Sequence, residues 1–126
     1  MIIEKNKENT LPYINFNEKS GTIFIEGRSI ENSPERFYES FINYLKEFLL
    51  KHPMNLEITI DIDYFNTRSA GPLLHFFKLC QTIIDKGFKL KVNWLIDSDD
   101  DNMLDAAEDY SSILKLPFNI IIHPGN

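Results

Sequence analysis

The chain has 126 residues, a length close to that of one ordinary domain. Apolar residues make up 43% and aromatic residues 13%, which is enough for a packed core and excludes a wholly disordered chain. The 19 acidic residues outnumber the 13 basic ones, and the net charge of -6 argues against nucleic acid or an anionic membrane as a partner.

The first residues are polar and carry no periodic apolar pattern. We interpret residues 1–10 as a flexible N-terminal arm and residues 11–126 as a single domain. The arm lacks the long apolar stretch of a signal peptide, and no run in the chain approaches the roughly 18 apolar residues of a membrane span. Because Cys80 is the only cysteine, an intramolecular disulfide is excluded, and we expect a reducing, cytoplasmic location.

A β-hairpin and a helix are predicted next. The strands cover residues 13–16 and 22–27, joined by a turn-rich stretch. Ser33 is the predicted N-cap of the helix, with Pro34 as its first residue, and the helix ends at His52. Its apolar residues recur every three or four positions: Phe37, Phe41, Tyr44, Leu45 and Phe48.

Two later strands alternate apolar and polar residues, as strands with one buried face do. They cover residues 56–64 and 88–95, and lysines of the second would suit Glu57 and Asp61 of the first across the sheet. Because a sheet covered on both faces would lose this alternation, we predict helices on one face only. The apolar set of the first strand is Leu56, Ile58, Ile60, Ile62 and Tyr64.

Two more helices and a final strand complete the pattern. The second helix ends at Gly87, and the third begins near residues 99–101 and ends before Pro117. A strand over residues 118–123 gives the order β-β-α-β-α-β-α-β, an α/β fold with one mixed sheet. The predicted buried stripes are Leu73, Phe76, Phe77, Cys80, Ile83 and Ile84, then Met103, Ala106, Ala107, Tyr110, Ile113 and Leu114.

The most polar tight connection joins the 56–64 strand to the second helix, at the carboxyl end of the sheet, where α/β folds commonly place their sites. Thr67 and Ser69 are both suitable N-caps, and Pro72 fits only in the first helical turn. The unpaired amides of a helix start suit a phosphate group. The simpler interpretation is that Asn66, Thr67 and Ser69 only form a turn and a cap.

Four segments of the chain resemble the SiaC-type regulatory phosphoproteins, which are similar in design to the STAS-domain anti-sigma-factor antagonists. The segments are GRSIENSP at 27–34, YFNTRS at 64–69, MLDAAEDY at 103–110 and PF at 117–118. The resemblance extends over about residues 11–122 and implies a STAS-like fold.

The resemblance also implies a non-enzymatic switch without a cofactor. Thr67 matches the threonine that a serine/threonine kinase of the anti-sigma type phosphorylates and a metal-dependent serine/threonine phosphatase clears. The unphosphorylated form would bind and activate a diguanylate cyclase in c-di-GMP and biofilm signalling. Ser69 is an alternative phosphorylation site, and the residues expected at the partner surface are Asn66, Arg68, Ser69, Asn32, Ser33, Glu108 and Asp109.

The acidic residues suggest a different function. Residues 97–108 place oxygen side chains at most ligand positions of an EF-hand loop, although Asn102 replaces the glycine and a strand precedes the loop. Asp61 and Asp63 share one strand face, as a catalytic pair would. The first alternative is therefore a small acidic metal-binding or enzymatic domain, and a solvated helix start and strand face are the simpler explanations. A second alternative is an unmodified interaction module that uses the open sheet face.

Overall fold

The computed structural model describes residues 1–114 and 116–123, with the backbone alone at Thr67 and His123; residues 115 and 124–126 of the predicted domain lie outside the described residues. The strands are β1 (Ile2–Ile3), β2 (Tyr13–Asn17), β3 (Thr22–Ser29), β4 (Leu56–Phe65), β5 (Leu90–Asp97) and β6 (Phe118–His123). The helices are α1 (Glu35–Lys51), α2 (Ala70–Asp85) and α3 (Asp101–Ile113), with a 3₁₀ turn over Thr67–Ser69 before α2. None of the described helices has the length and apolar character needed to cross a membrane.

The strands form one six-stranded sheet in chain order. β1, β2 and β3 pair antiparallel, whereas β3, β4, β5 and β6 are parallel neighbours. Each parallel pair is joined through a helix, and right-handed crossovers that all step in one direction leave their helices on the same face. The predicted mixed sheet with helices on one face is confirmed.

Burial along the central strands has a period of two. Ile58, Ile60 and Trp94 face the helices and are fully buried, whereas the residues between them are exposed or half-buried. On the open face, Lys91 Nζ lies 3.8 Å from Glu57 Oε2, which confirms the expected pairing for Glu57. Asp61 lies in register with Glu26 of β3 on the same sheet face.

An edge strand lies inside the predicted N-terminal arm. Ile2 and Ile3 pair with Asn15 and Ile14 of β2, and the terminal amine donates to the Phe16 carbonyl oxygen at 2.9 Å. A two-residue strand is too short to show an alternating pattern, so it could not be predicted from the sequence.

The start of α1 differs from the prediction. Ser33 is exposed and lies before the helix, and Pro34 takes the N-cap position without a side-chain capping hydrogen bond. The prediction that Ser33 caps this helix is wrong. Pro34 still serves the helix start, because its carbonyl oxygen accepts from the Tyr38 amide at 3.2 Å.

Three predicted core positions face solvent instead, and one of them is Tyr44 on α1, which is 37% exposed. Ile113 is 64% exposed, because α3 turns Met103, Ala107 and Tyr110 toward the core and leaves Ile113 on its flank. Tyr64 is 57% exposed because the β3–β4 register shifts between Gly27 and Arg28, and this irregularity interrupts the alternation after Ile62.

Candidate functional site

The junction between β4 and α2 is capped by the side chain of Asn66. Its Oδ1 accepts a hydrogen bond from the Ser69 amide at 3.2 Å, the contact that an N-cap residue makes three positions along. The Ser69 side chain caps nothing, so that part of the prediction is wrong. Thr67 is the first residue of the 3₁₀ turn, and its side chain lies outside the described atoms.

Three hydroxyl groups meet beneath this junction. Ser29 Oγ lies 2.7 Å from Ser69 Oγ and 2.5 Å from Tyr38 Oη, and both serines are fully buried. Ser69 Oγ also donates to the Ser29 carbonyl oxygen at 3.1 Å. Each hydroxyl is satisfied if Tyr38 donates to Ser29, Ser29 donates to Ser69, and Ser69 donates to that carbonyl. In this conformation the Ser69 side chain supports the junction from inside and does not form part of the partner surface expected from sequence.

The junction is also tied to the segment that follows β3. Asn66 donates from its backbone N–H to the Ser29 carbonyl oxygen at 3.0 Å and from Nδ2 to the Glu31 carbonyl oxygen at 3.3 Å. Arg68 Nη1 donates to the Asn32 carbonyl oxygen at 3.2 Å. The segments 27–34 and 64–69, which are far apart in sequence, therefore form one surface on which Asn32, Ser33 and Arg68 are exposed.

A cation–π contact lies beside this surface. The guanidinium carbon of Arg28 is 4.7 Å from the centre of the exposed Tyr64 ring. These residues are in register across the parallel pair β3–β4, just after the register shift. Sequence analysis missed this contact, because an irregularity in strand pairing has no clear signal in a single sequence.

Helix α3 approaches the same end of the sheet. Tyr110 Oη donates to the Ala70 carbonyl oxygen at 2.7 Å, which fixes α3 against the first residue of α2. Asp109 borders a groove that Ala70 and Gly71 also line, so the structure brings this predicted partner residue to the junction. Glu108 is exposed on α3 without a described contact to the junction.

The acidic stretch after β5 has a structural role. Asp100 Oδ1 accepts from the Met103 amide at 3.0 Å and caps α3. Residues from Asp101 onward are helical, which is not the conformation of an EF-hand loop. Asp63, Asp97 and Asp99 line a neighbouring cleft of about 530 Å³, and the described residues contain no group of three or more His, Cys, Asp or Glu side chains placed to hold a metal ion.

The Cys80 side chain is fully buried in the core, as predicted from its place on the apolar stripe of α2. Burial raises the pKa of its thiol, which disfavours the reactive thiolate form. Cys80 therefore contributes to packing.

Tyr38→Phe tests the buried hydroxyl cluster. Burial raises the pKa of Tyr38 from 10.0 to about 12, so the protonated phenol is favoured in the folded state. We expect the wild type to be more stable than Tyr38→Phe by about 1–2 kcal/mol near pH 8, because the variant lacks the hydrogen bond to Ser29. Because the pKa of Tyr38 is raised in the folded state, its contribution to the free energy of unfolding is complete below pH 10 and is lost as the pH rises toward 12. The stability advantage of the wild type over Tyr38→Phe should therefore shrink by about 2 kcal/mol at pH 12.

Urea denaturation of wild type and Tyr38→Phe from pH 8 to 12 measures this difference in stability. Groups that titrate in the same way in both proteins do not contribute to the difference. Tyr64→Phe is the control, because that tyrosine lies outside the cluster and is 57% exposed. A difference between wild type and Tyr38→Phe that stays constant with pH would contradict the assignment.

Comparison with known proteins identifies a family for nearly the whole chain. The family model described as SiaC family regulatory phosphoprotein matches residues 3–123. An uncharacterized protein of Pseudomonas aeruginosa strain UCBPP-PA14 is 25% identical over 115 residues, which are 89% of this chain and 89% of that protein.

Solved structures share the fold. SiaC of Pseudomonas aeruginosa superposes with a TM-score of 0.84 at 20% identity, covering 98% of this chain and 99% of that one. A chain from the crystal structure of the diguanylate cyclase SiaD in complex with its activator SiaC, also from Pseudomonas aeruginosa, superposes with a TM-score of 0.86 at 20% identity, covering 98% and 99%. The sheet order and helix placement described above are therefore those of a known fold.

Proposed function

The chain belongs to the SiaC family of regulatory phosphoproteins, a regulatory and not an enzymatic class, and from that premise we propose that phosphorylation of Thr67 controls its binding to a diguanylate cyclase. The SiaC protein of Pseudomonas aeruginosa is the activator of the cyclase SiaD, with which it forms a complex. By analogy, the unmodified form of this chain binds and activates a cyclase, and the switch acts in c-di-GMP signalling.

The observation that carries the proposal is the joining of two segments at the junction. Hydrogen bonds from Asn66 and Arg68 hold the 3₁₀ turn against residues 29–32, so the turn that Thr67 starts lies beside the exposed residues Asn32 and Arg68. A kinase or an effector that recognises this turn also meets Asn32 and Ser33. One surface therefore serves both the modifying enzyme and the regulated partner.

A phosphate on Thr67 changes this surface without requiring a change of fold. It adds about −1.5 to −2 charges and three strong acceptor oxygens. Arg68 is the basic residue next to it in the chain, and its guanidinium now donates to the Asn32 carbonyl oxygen. A phosphate that draws Arg68 away would release one of the bonds that tie the turn to the 29–32 segment.

The proposal includes two modifying enzymes and a compartment. A serine/threonine kinase of the anti-sigma type adds the phosphate, and a metal-dependent serine/threonine phosphatase removes it. The switch operates in the cytoplasm, where a diguanylate cyclase finds its nucleotide substrate and where the unpaired thiol of Cys80 stays reduced. A pull-down from native extract with Thr67→Ala and Thr67→Glu baits identifies these partners by mass spectrometry.

Intact mass after incubation with the kinase and ATP tests the modified position. We expect the wild type to gain one phosphate and Thr67→Ala to gain none. Ser69→Ala is the matched control and should still gain one, because the Ser69 hydroxyl is fully buried and bonded to Ser29. If the Thr67→Ala protein gains a phosphate, Thr67 is not the modified residue. If only the Ser69→Ala protein fails to gain one, the modified residue is Ser69.

A further inference from the structure

Strand β6 is an edge strand with backbone groups turned outward. Within the described part of the chain, β5 is its neighbour on one side and no strand lies on the other. The Val92 amide donates to the Pro117 carbonyl oxygen at 3.4 Å, so alternate residues counted from 117 direct their backbone groups toward β5. The N–H and C=O groups of Phe118, Ile120 and Ile122 therefore point away from the sheet, where a further strand can bond to them.

The two edges of the sheet differ in their protection against strand addition. Proteins commonly protect an edge by a very short strand, by charged side chains or by proline. The first edge follows this rule, because β1 has two residues and is followed by the exposed Glu4 and Lys5. β6 has six residues, and from Phe118 to Ile122 it contains no charged residue and no proline. The β6 edge is therefore the one suited to pairing with another chain.

The end of β6 also leaves apolar side chains in water. Helix α3 packs over β5, where the rings of Trp94 and Tyr110 are 5.9 Å apart. Ile120 packs against the core, whereas Ile122 on the same face of β6 is 49% exposed. Ile121 lies on the open face and is 40% exposed. A strand added at this edge would cover both exposed isoleucines.

The sequence of β6 complements itself when the second strand runs in the opposite direction. In an antiparallel pair centred on Ile121, that residue faces its own copy on the open face, and Ile120 faces Ile122 on the helix face. A pair centred on Ile120 instead places the polar Asn119 opposite Ile121. A centre between two residues would put the open face of one copy beside the helix face of the other. The register centred on Ile121 therefore joins apolar residues to apolar residues and lets Ile120 and Ile122 exchange backbone hydrogen bonds.

The charge distribution is compatible with this pairing. Two copies that each carry a net charge of -6 repel one another, so they associate most easily where neither surface is charged. In the antiparallel arrangement the β5 strands of the two copies are three strand spacings apart, about 14 Å. Asp97 at the end of β5 is then farther from its copy than the screening length of about 8 Å in physiological salt.

We propose that β6 pairs antiparallel with β6 of a second copy of this chain, so that two six-stranded sheets form one continuous sheet. The contact between two edge strands is smaller than the roughly 1,600 Å² of a standard interface, so we expect a dissociation constant of about 10–100 µM. The inference is independent of the proposed function. Because the paired strands run in opposite directions, the 3₁₀ turns of the two copies lie toward opposite ends of the joint sheet and remain accessible.

A disulfide at the centre of the pair tests the register. Opposite residues of a non-hydrogen-bonded antiparallel pair have Cα atoms about 4.5 Å apart, which a disulfide spans. We expect Ile121→Cys to form a covalent dimer under mild oxidation, seen on a non-reducing gel. Ile2→Cys is the matched control, since Ile2 is 57% exposed on the opposite edge, and it should cross-link at least about tenfold more slowly. The native Cys80 is fully buried and does not compete. Equal rates for the two variants would overturn the proposal.

Sedimentation velocity measures the association without a cross-link. We expect the wild type to change from monomer to dimer as its concentration rises to about 500 µM, and Ile121→Lys to raise the dissociation constant at least about tenfold. Ile2→Lys should leave that constant within about twofold of the wild type, and urea denaturation verifies that both variants are folded. Phosphorylation of Thr67 should also leave it unchanged.

Three results would overturn the inference. A wild type that stays monomeric at about 500 µM would leave the edge to a strand of a different protein. A dimer that Ile121→Lys does not weaken would place the contact elsewhere on the molecule. Assemblies that grow beyond the dimer would show an open arrangement in place of a closed two-fold pair. None of these results bears on whether Thr67 is the regulated residue.

Discussion

Gly21→Ala is expected to lower the free energy of unfolding by about 3–5 kcal/mol, the largest effect of any substitution considered in this chain. Gly21 has a φ of +77°, and a Cβ there would lie 2.2 Å from the Asn55 carbonyl oxygen. The backbone has little freedom to move, because its N–H donates to the Asn17 carbonyl oxygen and its carbonyl oxygen accepts from the Glu57 amide. The variant therefore carries both backbone strain and a clash between two backbone segments.

Gly87→Ala separates these two causes. Gly87 also has a positive φ, of +91°, but an added Cβ meets nothing within 4 Å. We expect a loss of only about 1–2 kcal/mol, the cost of the left-handed backbone alone. Urea denaturation followed by circular dichroism measures both variants. Equal losses would mean that the turn before β4 can open, and that the close approach of Gly21 to Asn55 is not a constraint on the fold.

Phosphorylated protein is expected to bind the cyclase about 100-fold more weakly than unmodified protein, which corresponds to about 2.7 kcal/mol. The phosphate must lose water at the contact. Two acidic residues belong to the same junction, since the Glu31 carbonyl oxygen accepts from Asn66 and Asp109 lines a groove with Ala70. The basic residue next to Thr67 in the chain is Arg68, and its guanidinium already donates a hydrogen bond to the Asn32 carbonyl oxygen.

Titration calorimetry with one protein preparation measures this effect. The kinase-treated sample is compared with the same sample after phosphatase treatment, which should recover the original affinity. Thr67→Ala, treated with the kinase in the same way, is the control and should bind equally before and after treatment. Equal or tighter binding of the phosphorylated wild type would reverse the proposed direction of the switch.

The elements of the fold were predictable because their patterns are local. The three- and four-residue spacing of α2 and the alternation of β4 each follow from one buried face on a regular backbone. The same reasoning failed for β1, which is too short for a pattern, and for Tyr64, which follows the register irregularity. It also assigned the wrong caps at Ser33 and Ser69, because several polar residues near a helix start can satisfy the same amide.

The candidate site was predictable only as a position in the chain. The polar junction after β4 and its resemblance to a family indicated Thr67, and Asn66 and Arg68 as its neighbours. The partner of that junction was not predictable from spacing, because Ser29 and Ser69 are separated by 40 residues. Their contact depends on β3 and β4 being parallel neighbours with a particular register, which the pairing of whole strands decides.

The sequence by itself determined the one-sided sheet, the order of its main elements and the family, since each is recorded in short runs of residues. The tertiary structure alone decided which side chains are available at the surface. It buried the Ser69 hydroxyl against Ser29, exposed Ile113 and joined α2 to α3 through Tyr110. The physical reason is that burial and hydrogen bonding between distant segments depend on how the elements pack, and an amino-acid pattern describes each element only in isolation.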